Sequence, residues 1–314
     1  MSVDALIKKL EEHFFERESA DLVEQRLRTC LRDGGAYTDG ERPREGFCFV
    51  AMGPSRAGKS RAIYRAFQKI GPWQTSSGKP GRVFEVAVPS PVTSGSLALG
   101  IIAATNYETR GLARKTVPEV WRFTHNLLYR MGVDILMLEE AQNLAFATGT
   151  QPAAVGAALK ARLQHPEWPI SLILSGDERI DTILRADPHI RNRTRVVRFH
   201  PLAETGDLAL LSDKLATYLQ MAGLEASPCI QTREFAERLM VASNQLFAFA
   251  CEHMVKAIAI ALRAEQPSVT AGDFAEVVRE RTGCRDDENV FLAERFHALQ
   301  PDPPEDPGPR RWRR

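Results

Sequence analysis

The stretch GPSRAGKS at residues 53–60 has two glycines, a lysine and a serine at the spacing of a phosphate-binding loop. Such glycines let the backbone curl so that successive N–H groups point at phosphate oxygens. A helix beginning near Lys59 adds its positive end, Lys59 would reach the β- and γ-phosphates, and Ser60 would ligate Mg²⁺. We predict nucleotide contacts at Gly53, Pro54, Ser55, Arg56, Ala57, Gly58, Lys59, Ser60 and Arg61. The alternative is a glycine-rich turn with an exposed lysine.

Two neighbouring glutamates, Glu139 and Glu140, follow the apolar run VDILML at 133–138. A phosphate-loop enzyme needs one carboxylate at the end of a nearby strand to hold Mg²⁺, and often a second to activate the attacking water. Because successive strand residues point to opposite sides, the two carboxylates can take different roles. We assign Glu139 to the metal and Glu140 to the water. The alternative is a solvated acidic turn that opens a helix.

Five β-rich runs, with helical patterns between most of them, must position these groups. The runs are 47–52, 82–89, 133–138, 170–176 and 195–199. This alternation predicts an α/β fold in which helices cover both faces of a parallel sheet. After Pro201 only helical patterns remain, at 205–222, 231–242, 244–264 and 270–282. Thr270 and Asp273 have the spacing of a capping box at the start of the last of these helices.

The predicted organisation has four parts. Residues 1–45 form an N-terminal segment of one or two helices and a linker, and 46–202 form the α/β nucleotide-binding domain. Residues 203–285 form a small all-helical lid domain. Residues 286–314 form a short helix and a Pro- and Arg-rich tail, for which the composition predicts disorder.

The bulk composition restricts the class of protein. A net charge of +1 means that any DNA binding must come from a local patch. The five cysteines are scattered without CxxC spacing, which favours reduced thiols over a zinc site or a disulfide framework. The N-terminus lacks an apolar signal core, and no run of about 20 apolar residues predicts a membrane span. We expect a bacterial cytoplasmic protein.

The motifs GPSRAGKS, LMLEEAQNL, LILSGDERI and RNRTRVVRFHPL occur in the order and setting of AAA+ ATPases. The EEAQ sequence and the residues after SGDE resemble the TniB/TnsC group of transposition regulators. The resemblance covers about residues 46–260. It implies an AAA+ P-loop NTPase fold with a helical lid, and binding of ATP and Mg²⁺.

The resemblance implies two further catalytic positions. Ser175 matches the polar sensor residue at the end of the fourth strand; alternatively, it caps the following helix. Arg193 matches the arginine finger that a neighbouring subunit offers to the γ-phosphate, and Arg191 and Arg195 are near enough to substitute. Alternatively, these arginines solvate a helix end or bind DNA.

Two departures from the family pattern predict slow hydrolysis, and the arginine finger offered by a neighbouring subunit would make it assembly-dependent. The metal carboxylate is usually aspartate, whereas this chain has Glu139. In addition, the segment ASNQLFAFACEHMVKAIAIAL has no clear match to the sensor arginine of the lid.

A basic segment lies between the second and third strands, where the resemblance places DNA-facing loops. Its side chains would contact phosphates, giving sequence-independent binding to double-stranded DNA. The predicted contacts are Arg110, Arg114, Lys115, Thr116 and Arg122. The alternative is a solvated helix face. The terminal RRWRR sequence could bind DNA or a partner protein.

The resemblance implies an ATP-dependent regulator of transposition that assembles with itself as a ring or helical filament on target DNA. It would recruit a transposase, act with a target-selection protein, and disassemble on hydrolysis. Two alternatives remain: a non-catalytic ATP-binding scaffold, and an AAA+ helicase loader.

Overall fold

The computed structural model describes residues 2–35, 45–73, 80–146, 151–186, 188–203 and 205–299. The chain divides into two compact units. The first, Glu16–His200, is called the α/β unit. The second combines the residues up to Phe15 with those from Pro201 onward, and is called the helical unit.

The regular elements alternate along the first part of the chain and are nearly all helical afterwards. The helices are α1 (Val3–Glu12), α2 (Glu18–Gly35), α3 (Lys59–Ile70), α4 (Ser94–Ala104), α5 (Val117–Arg130), α6 (Gln151–Leu163), α7 (Ile180–Ala186), α8 (Pro188–Asn192), α9 (Thr205–Ala222), α10 (Arg233–Ala242), α11 (Phe247–Arg263) and α12 (Ala271–Thr282). The strands are β1 (Cys48–Met52), β2 (Val83–Ala87), β3 (Ile135–Glu139), β4 (Ser171–Gly176), β5 (Thr194–Arg198), β6 (Glu225–Ala226) and β7 (Ser268–Val269).

The α/β unit is built on a five-stranded parallel sheet in the order β2-β3-β4-β1-β5. All residues of β1 and β4 are buried, as expected for short apolar runs at the centre of a parallel sheet. Met52 at the end of β1 lies opposite Gly176 of β4 and Arg198 of β5. The predicted parallel sheet is therefore confirmed, and its strand ends meet at one edge.

Helix α2 packs against α3 and reaches the edge strand β5. Glu16 and Glu24 form ion pairs with Lys69 of α3 at 3.0 and 3.2 Å. The Arg26 guanidinium donates a hydrogen bond to the Val196 carbonyl of β5. A side chain that occupies a carbonyl on an edge strand reduces the tendency of that edge to pair with another strand.

Helices α4 and α5 lie side by side and run in the same direction. Trp121 Nε1 donates to Ser94 Oγ at 2.9 Å, and Thr124 Oγ lies 3.5 Å from the Ala98 carbonyl one turn later. The basic segment 105–116 connects the end of α4 to the start of α5, and it returns along α5, where Tyr107 packs on Phe123.

The helical unit contains α1, α9–α12 and the short parallel pair β6–β7. Leu10, Tyr218, Met254 and Phe274 are among its buried side chains. Both the backbone N–H and the hydroxyl of Thr270 donate to Asp273 Oδ2, at 2.7 and 2.9 Å. The capping box predicted at the start of α12 is thus confirmed.

The N-terminal segment forms two helices that belong to different units: α1 to the helical unit and α2 to the α/β unit. Residues 36–44 of the predicted linker and residues 300–314, which include RRWRR, lie outside the described part of the chain. Within the described ranges no single helix is long and apolar enough to cross a membrane. Helices α10 and α11 reach the necessary length only together, and they are bent by 110°.

Candidate nucleotide-binding site

The loop between β1 and α3 has the sequence GPSRAGKS. Each of its two glycines is required, for a different structural reason. A Cβ on Gly53 would lie 2.5 Å from the Phe199 carbonyl oxygen, so only glycine fits. Gly58 has a φ of 94°, a left-handed conformation that L side chains rarely adopt. It precedes the first helical residue, Lys59, and offers no side chain to cap α3. The first N–H groups of α3 therefore point out of the helix without a side-chain acceptor from the cap.

Lys59 is folded back over this loop. Its ammonium group donates to the Gly53 carbonyl at 2.8 Å and the Pro54 carbonyl at 2.7 Å. Burial lowers the pKa of Lys59 below its usual value, although nearby Glu140, Glu139 and Asp177 act in the opposite direction. The lysine is thus partly removed from water and close to three carboxylates, at the place where a phosphate would bind.

Glu139 is the last residue of β3 and Ser175 the last but one of the neighbouring strand β4, and each has a buried oxygen without a partner in the described residues. Glu139 Oε1 and Ser175 Oγ accept or donate no hydrogen bond within the described residues. Ser175 is fully buried, and its hydroxyl does not cap α7, which begins at Ile180. An unsatisfied buried polar group costs about 1–3 kcal/mol, so two of them at one sheet edge favour a missing ligand.

Glu140 is not a strand residue, which corrects the reasoning that separated it from Glu139 by strand alternation. β3 ends at Glu139, and Glu140 has a φ of 54°, in the left-handed region that non-glycine residues seldom occupy. The turn after β3, rather than the pleat of the sheet, therefore determines the position of Glu140. Glu140 is exposed, whereas Glu139 is half-buried.

Two residues of the site were missed in the sequence: Gln142 and Asp177. Gln142 Nε2 donates to Glu140 Oε2 at 2.6 Å. Burial raises the pKa of Asp177, but hydrogen bonds from Arg179 and the charges of Arg179 and Lys59 outweigh it and lower the pKa. Asp177 directly follows β4, and Gln142 lies three residues after the end of β3, the neighbouring strand in the sheet. That placement was the available signal, because polar residues after adjacent parallel strands meet at one edge.

The residues present fit a nucleotide phosphate with Mg²⁺. Lys59 and the N-terminus of α3 supply positive charge, while Ser60, Glu139 and Ser175 supply oxygen atoms. Within the described residues no three His, Cys, Asp or Glu side chains cluster as a metal site. A bound Mg²⁺ would therefore need phosphate and water oxygens beside its protein ligands, which is its usual mode in phosphate-loop proteins.

The predicted arginine finger, Arg193, lies at the end of the sheet where the strands begin, opposite the end that carries Lys59 and the two glutamates. It precedes β5, whose first residue pairs with Cys48 at the start of β1. Its guanidinium forms an ion pair with Glu45, which also accepts from Gln164 Nε2 at 3.0 Å. Arg191 and Arg195 are exposed. One chain therefore does not bring Arg193 to its own Lys59.

The predicted DNA-contacting cations Arg110, Arg114, Lys115 and Arg122 are all exposed. Thr116 has another role as well, which the sequence reasoning did not give it. Its hydroxyl and its backbone N–H donate to Glu119 Oε2, at 2.8 and 2.9 Å, and so cap α5. These bonds lower the pKa of Glu119. A DNA contact from Thr116 would compete with this cap.

The sheet order, the phosphate loop and the acidic strand ends define a nucleotide-binding P-loop NTPase fold of the AAA+ class. The model of the family described as "Bacterial TniB protein" matches residues 5–203. The chain belongs to the TniB family. No curated protein sequence matches this chain.

Solved structures support the fold at low sequence identity. Cdc6p from Pyrobaculum aerophilum is 15% identical with a TM-score of 0.60, and the match covers 88% of this chain and 70% of that one. ORC1 from Aeropyrum pernix, in complex with DNA, is 17% identical with a TM-score of 0.55 and coverages of 83% and 66%. A Walker-type ATPase from Pyrococcus abyssi is 17% identical with a TM-score of 0.51 and coverages of 85% and 73%.

Proposed function

We propose that this protein is an ATP-dependent regulator of DNA transposition in the bacterial cytoplasm. It assembles as a ring or helical filament on duplex DNA, recruits a transposase together with a target-selection protein, and leaves the DNA after ATP hydrolysis. Membership of the TniB family and the AAA+ fold support this proposal. The observation that carries it is the convergence of Lys59, Glu139, Glu140 and Ser175 at one edge of the sheet.

Each side chain has a chemical role in this proposal. When ATP binds, the Lys59 ammonium group leaves its two loop carbonyls and donates to phosphate oxygens. A hydrogen bond to a charged phosphate oxygen is stronger than one to a neutral carbonyl. Ser60 and Glu139 would hold Mg²⁺, which would neutralise charge on the phosphates when bound. Glu140 orients a water and accepts its proton as the water oxygen attacks the γ-phosphorus, and ADP and phosphate are the products. Ser175 hydrogen-bonds to the γ-phosphate.

Hydrolysis in this proposal depends on assembly. Arg193, held by Glu45 at the far edge of the sheet, serves the nucleotide of a neighbouring copy. Its guanidinium stabilises charge on the phosphoryl group as it is transferred. A single chain would therefore bind ATP but hydrolyse it slowly.

Exposed cations in the segment between α4 and α5 and on α5 itself carry the proposed contacts with DNA. The ORC1 structure, described in complex with DNA, supports DNA binding by this fold. A matched pair on α5 tests the surface: Arg122 and Arg130 are both exposed, and only Arg122 is a proposed contact. Arg122→Glu should weaken DNA binding and flatten its salt dependence, whereas Arg130→Glu should do neither.

The direct experiment measures duplex DNA binding with ATP, ADP and a non-hydrolysable ATP analogue, and examines the products by electron microscopy. We expect ordered assemblies with ATP and the analogue, and dissociation when ADP replaces them. The absence of any ATP-dependent assembly on DNA would contradict this proposal.

A non-catalytic scaffold is the second candidate. It is favoured by one observation: both cations needed for hydrolysis, Lys59 and Arg193, are engaged with groups of their own chain. The rate of phosphate release from the DNA-bound protein distinguishes the scaffold from the ATPase. Equal rates for the wild type and Glu140→Gln would support the scaffold, and a faster wild type would support the ATPase.

A further inference from the structure

Gln142 links the two acidic strand ends of the site. It lies in the 3₁₀ helix Ala141–Phe146, which directly follows Glu140. Its amide nitrogen donates to Glu140 Oε2 at 2.6 Å. Its amide oxygen faces the next strand, where it lies 3.4 Å from the Asp177 backbone nitrogen.

The end of β4 leaves space for this contact. A Cβ on Gly176 would lie only 2.2 Å from Gln142 Oε1, so the amide sits directly over the glycine that ends β4. Ser175, with its unpartnered hydroxyl, precedes that glycine. The Gln142 side chain therefore spans from the carboxylate after β3 to the backbone after β4.

Within the described residues, the Glu140 side chain accepts no hydrogen bond besides the one from Gln142. It is exposed, it has several rotatable bonds, and its backbone lies in the left-handed region. A hydrogen bond from an amide to one carboxylate oxygen fixes the orientation of the carboxylate and leaves the second oxygen able to accept a proton. A neutral amide does this without adding a second charge beside the base.

We infer that Gln142 is a positioning residue, which holds the Glu140 carboxylate for its reaction with water and ties it to the end of β4. This inference rests on the proposed hydrolysis of ATP. It assigns Gln142 an effect on the chemical step and none on ATP binding, because its amide contacts Glu140 and Asp177 rather than the phosphate loop.

The test is a double-mutant cycle on the full chain assembled on duplex DNA. Gln142→Met keeps the length of the side chain and removes the amide. We expect the rate at saturating ATP to fall about tenfold, the order for one hydrogen bond to a charged group, with unchanged ATP affinity. In the Glu140→Gln background the same substitution should have no further effect, because its action passes through Glu140.

The control is Gln231→Met, which removes an amide that donates to the Ala226 carbonyl in the helical unit, at 2.9 Å. It should leave the rate unchanged. A tenfold loss that persists in the Glu140→Gln background would reveal a merely structural role and overturn the inference. Equal rates for wild type and Gln142→Met, both above Glu140→Gln, would overturn it while hydrolysis stands. A wild type no faster than Glu140→Gln would overturn the proposed hydrolysis itself.

Discussion

Each unit of this protein has a partly buried cation that donates to two backbone carbonyls, but the two cations differ in what surrounds them. In the α/β unit Lys59 donates to Gly53 and Pro54. In the helical unit Arg238 donates to Val290 and Ala293, at 2.6 and 2.9 Å. Arg238 also pairs with Glu234 at 2.8 Å and covers the Phe296 ring. All the bonds of Arg238 thus serve its own unit.

One acidic side chain from each unit shows the same difference. Asp273 of the helical unit accepts two hydrogen bonds from Thr270 and so completes the start of α12. Glu139 of the α/β unit has a buried carboxylate oxygen without a partner in the described residues. Unmade hydrogen bonds cost stability and are kept where a ligand completes them. The comparison therefore distinguishes polar groups that hold a fold together from polar groups that await a ligand.

The largest expected effect belongs to Lys59→Ala, which should remove binding without removing stability. We expect ATP affinity to fall about a hundredfold, or about 3 kcal/mol, because charged bonds to phosphate are lost. The free energy of unfolding without nucleotide should change by less than about 1 kcal/mol. Isothermal titration calorimetry and thermal unfolding measure the two quantities.

The control for Lys59 is Lys256→Ala in the helical unit. Lys256 is an exposed lysine that pairs with Glu252 at 2.7 Å, and surface pairs of this kind contribute little. It should change neither quantity. A large loss of stability in Lys59→Ala would contradict the distinction between the two units.

Arg238→Ala should have the converse effect, a loss of stability without a loss of binding. Removing its bonds to two buried carbonyls and to Glu234 should cost the helical unit about 2.5 kcal/mol. In a Trp312→Phe background the remaining tryptophans, Trp73, Trp121 and Trp168, all lie in the α/β unit, so fluorescence follows that unit while circular dichroism follows both. We expect only the dichroism transition to shift.

Arg233→Ala is the matched control, on the same helix as Arg238. Arg233 is exposed and pairs with Glu237 at 3.0 Å, so its removal should be nearly neutral. Weaker ATP binding by Arg238→Ala would show that this arginine is more than a brace of its own unit.

The smallest expected effect is the loss of stability in acid, and it should be similar in the two units. Burial is the first cause that lowers the pKa of His125 in the α/β unit and of His253 in the helical unit, each to about 4. Both bind a proton more weakly when folded than when unfolded. Their contribution to stability is therefore complete above about pH 6.5 and is lost as the pH falls toward about 4.

Each histidine should cost its unit up to about 2 kcal/mol at about pH 5. Denaturant unfolding at about pH 7 and about pH 5, followed by tryptophan fluorescence and by circular dichroism, measures this. His253→Leu should reduce the acid sensitivity of the dichroism transition and leave the fluorescence transition as it is. Equal acid sensitivity in that variant would show that other groups dominate.

The sequence predicted the elements of the site better than its contacts. The strands β1 and β4 are continuous apolar runs, so their burial and parallel pairing followed from composition alone. The left-handed turn at Glu140 could not be predicted in this way. Two glutamates after an apolar run are equally compatible with a strand that continues through both. This conformation belongs to the turn that opens the 3₁₀ helix Ala141–Phe146, where the Asn143 N–H donates to the Glu140 carbonyl at 2.9 Å.

Long-range pairings were also out of reach. Glu45 and Arg193 are far apart in sequence and meet only because β1 and β5 are neighbours. Likewise, the apolar stripes of α1 and α2 predicted one or two helices but not their partners, because periodicity shows which face is buried and not what covers it. The structure assigns the two helices to different units.

The position of Arg193 has a consequence for the proposed assembly. The loop that carries Lys59 follows the last residue of β1, whereas Arg193 lies beside the first residue of that strand. The two groups therefore lie at opposite ends of the sheet, called its two poles. Copies joined head to tail through these poles form a row with two unlike ends. The copy at one end of an open row has a nucleotide with no arginine from a neighbour, and a closed ring has no such copy. That terminal copy would then keep its ATP while the copies behind it hydrolyse theirs.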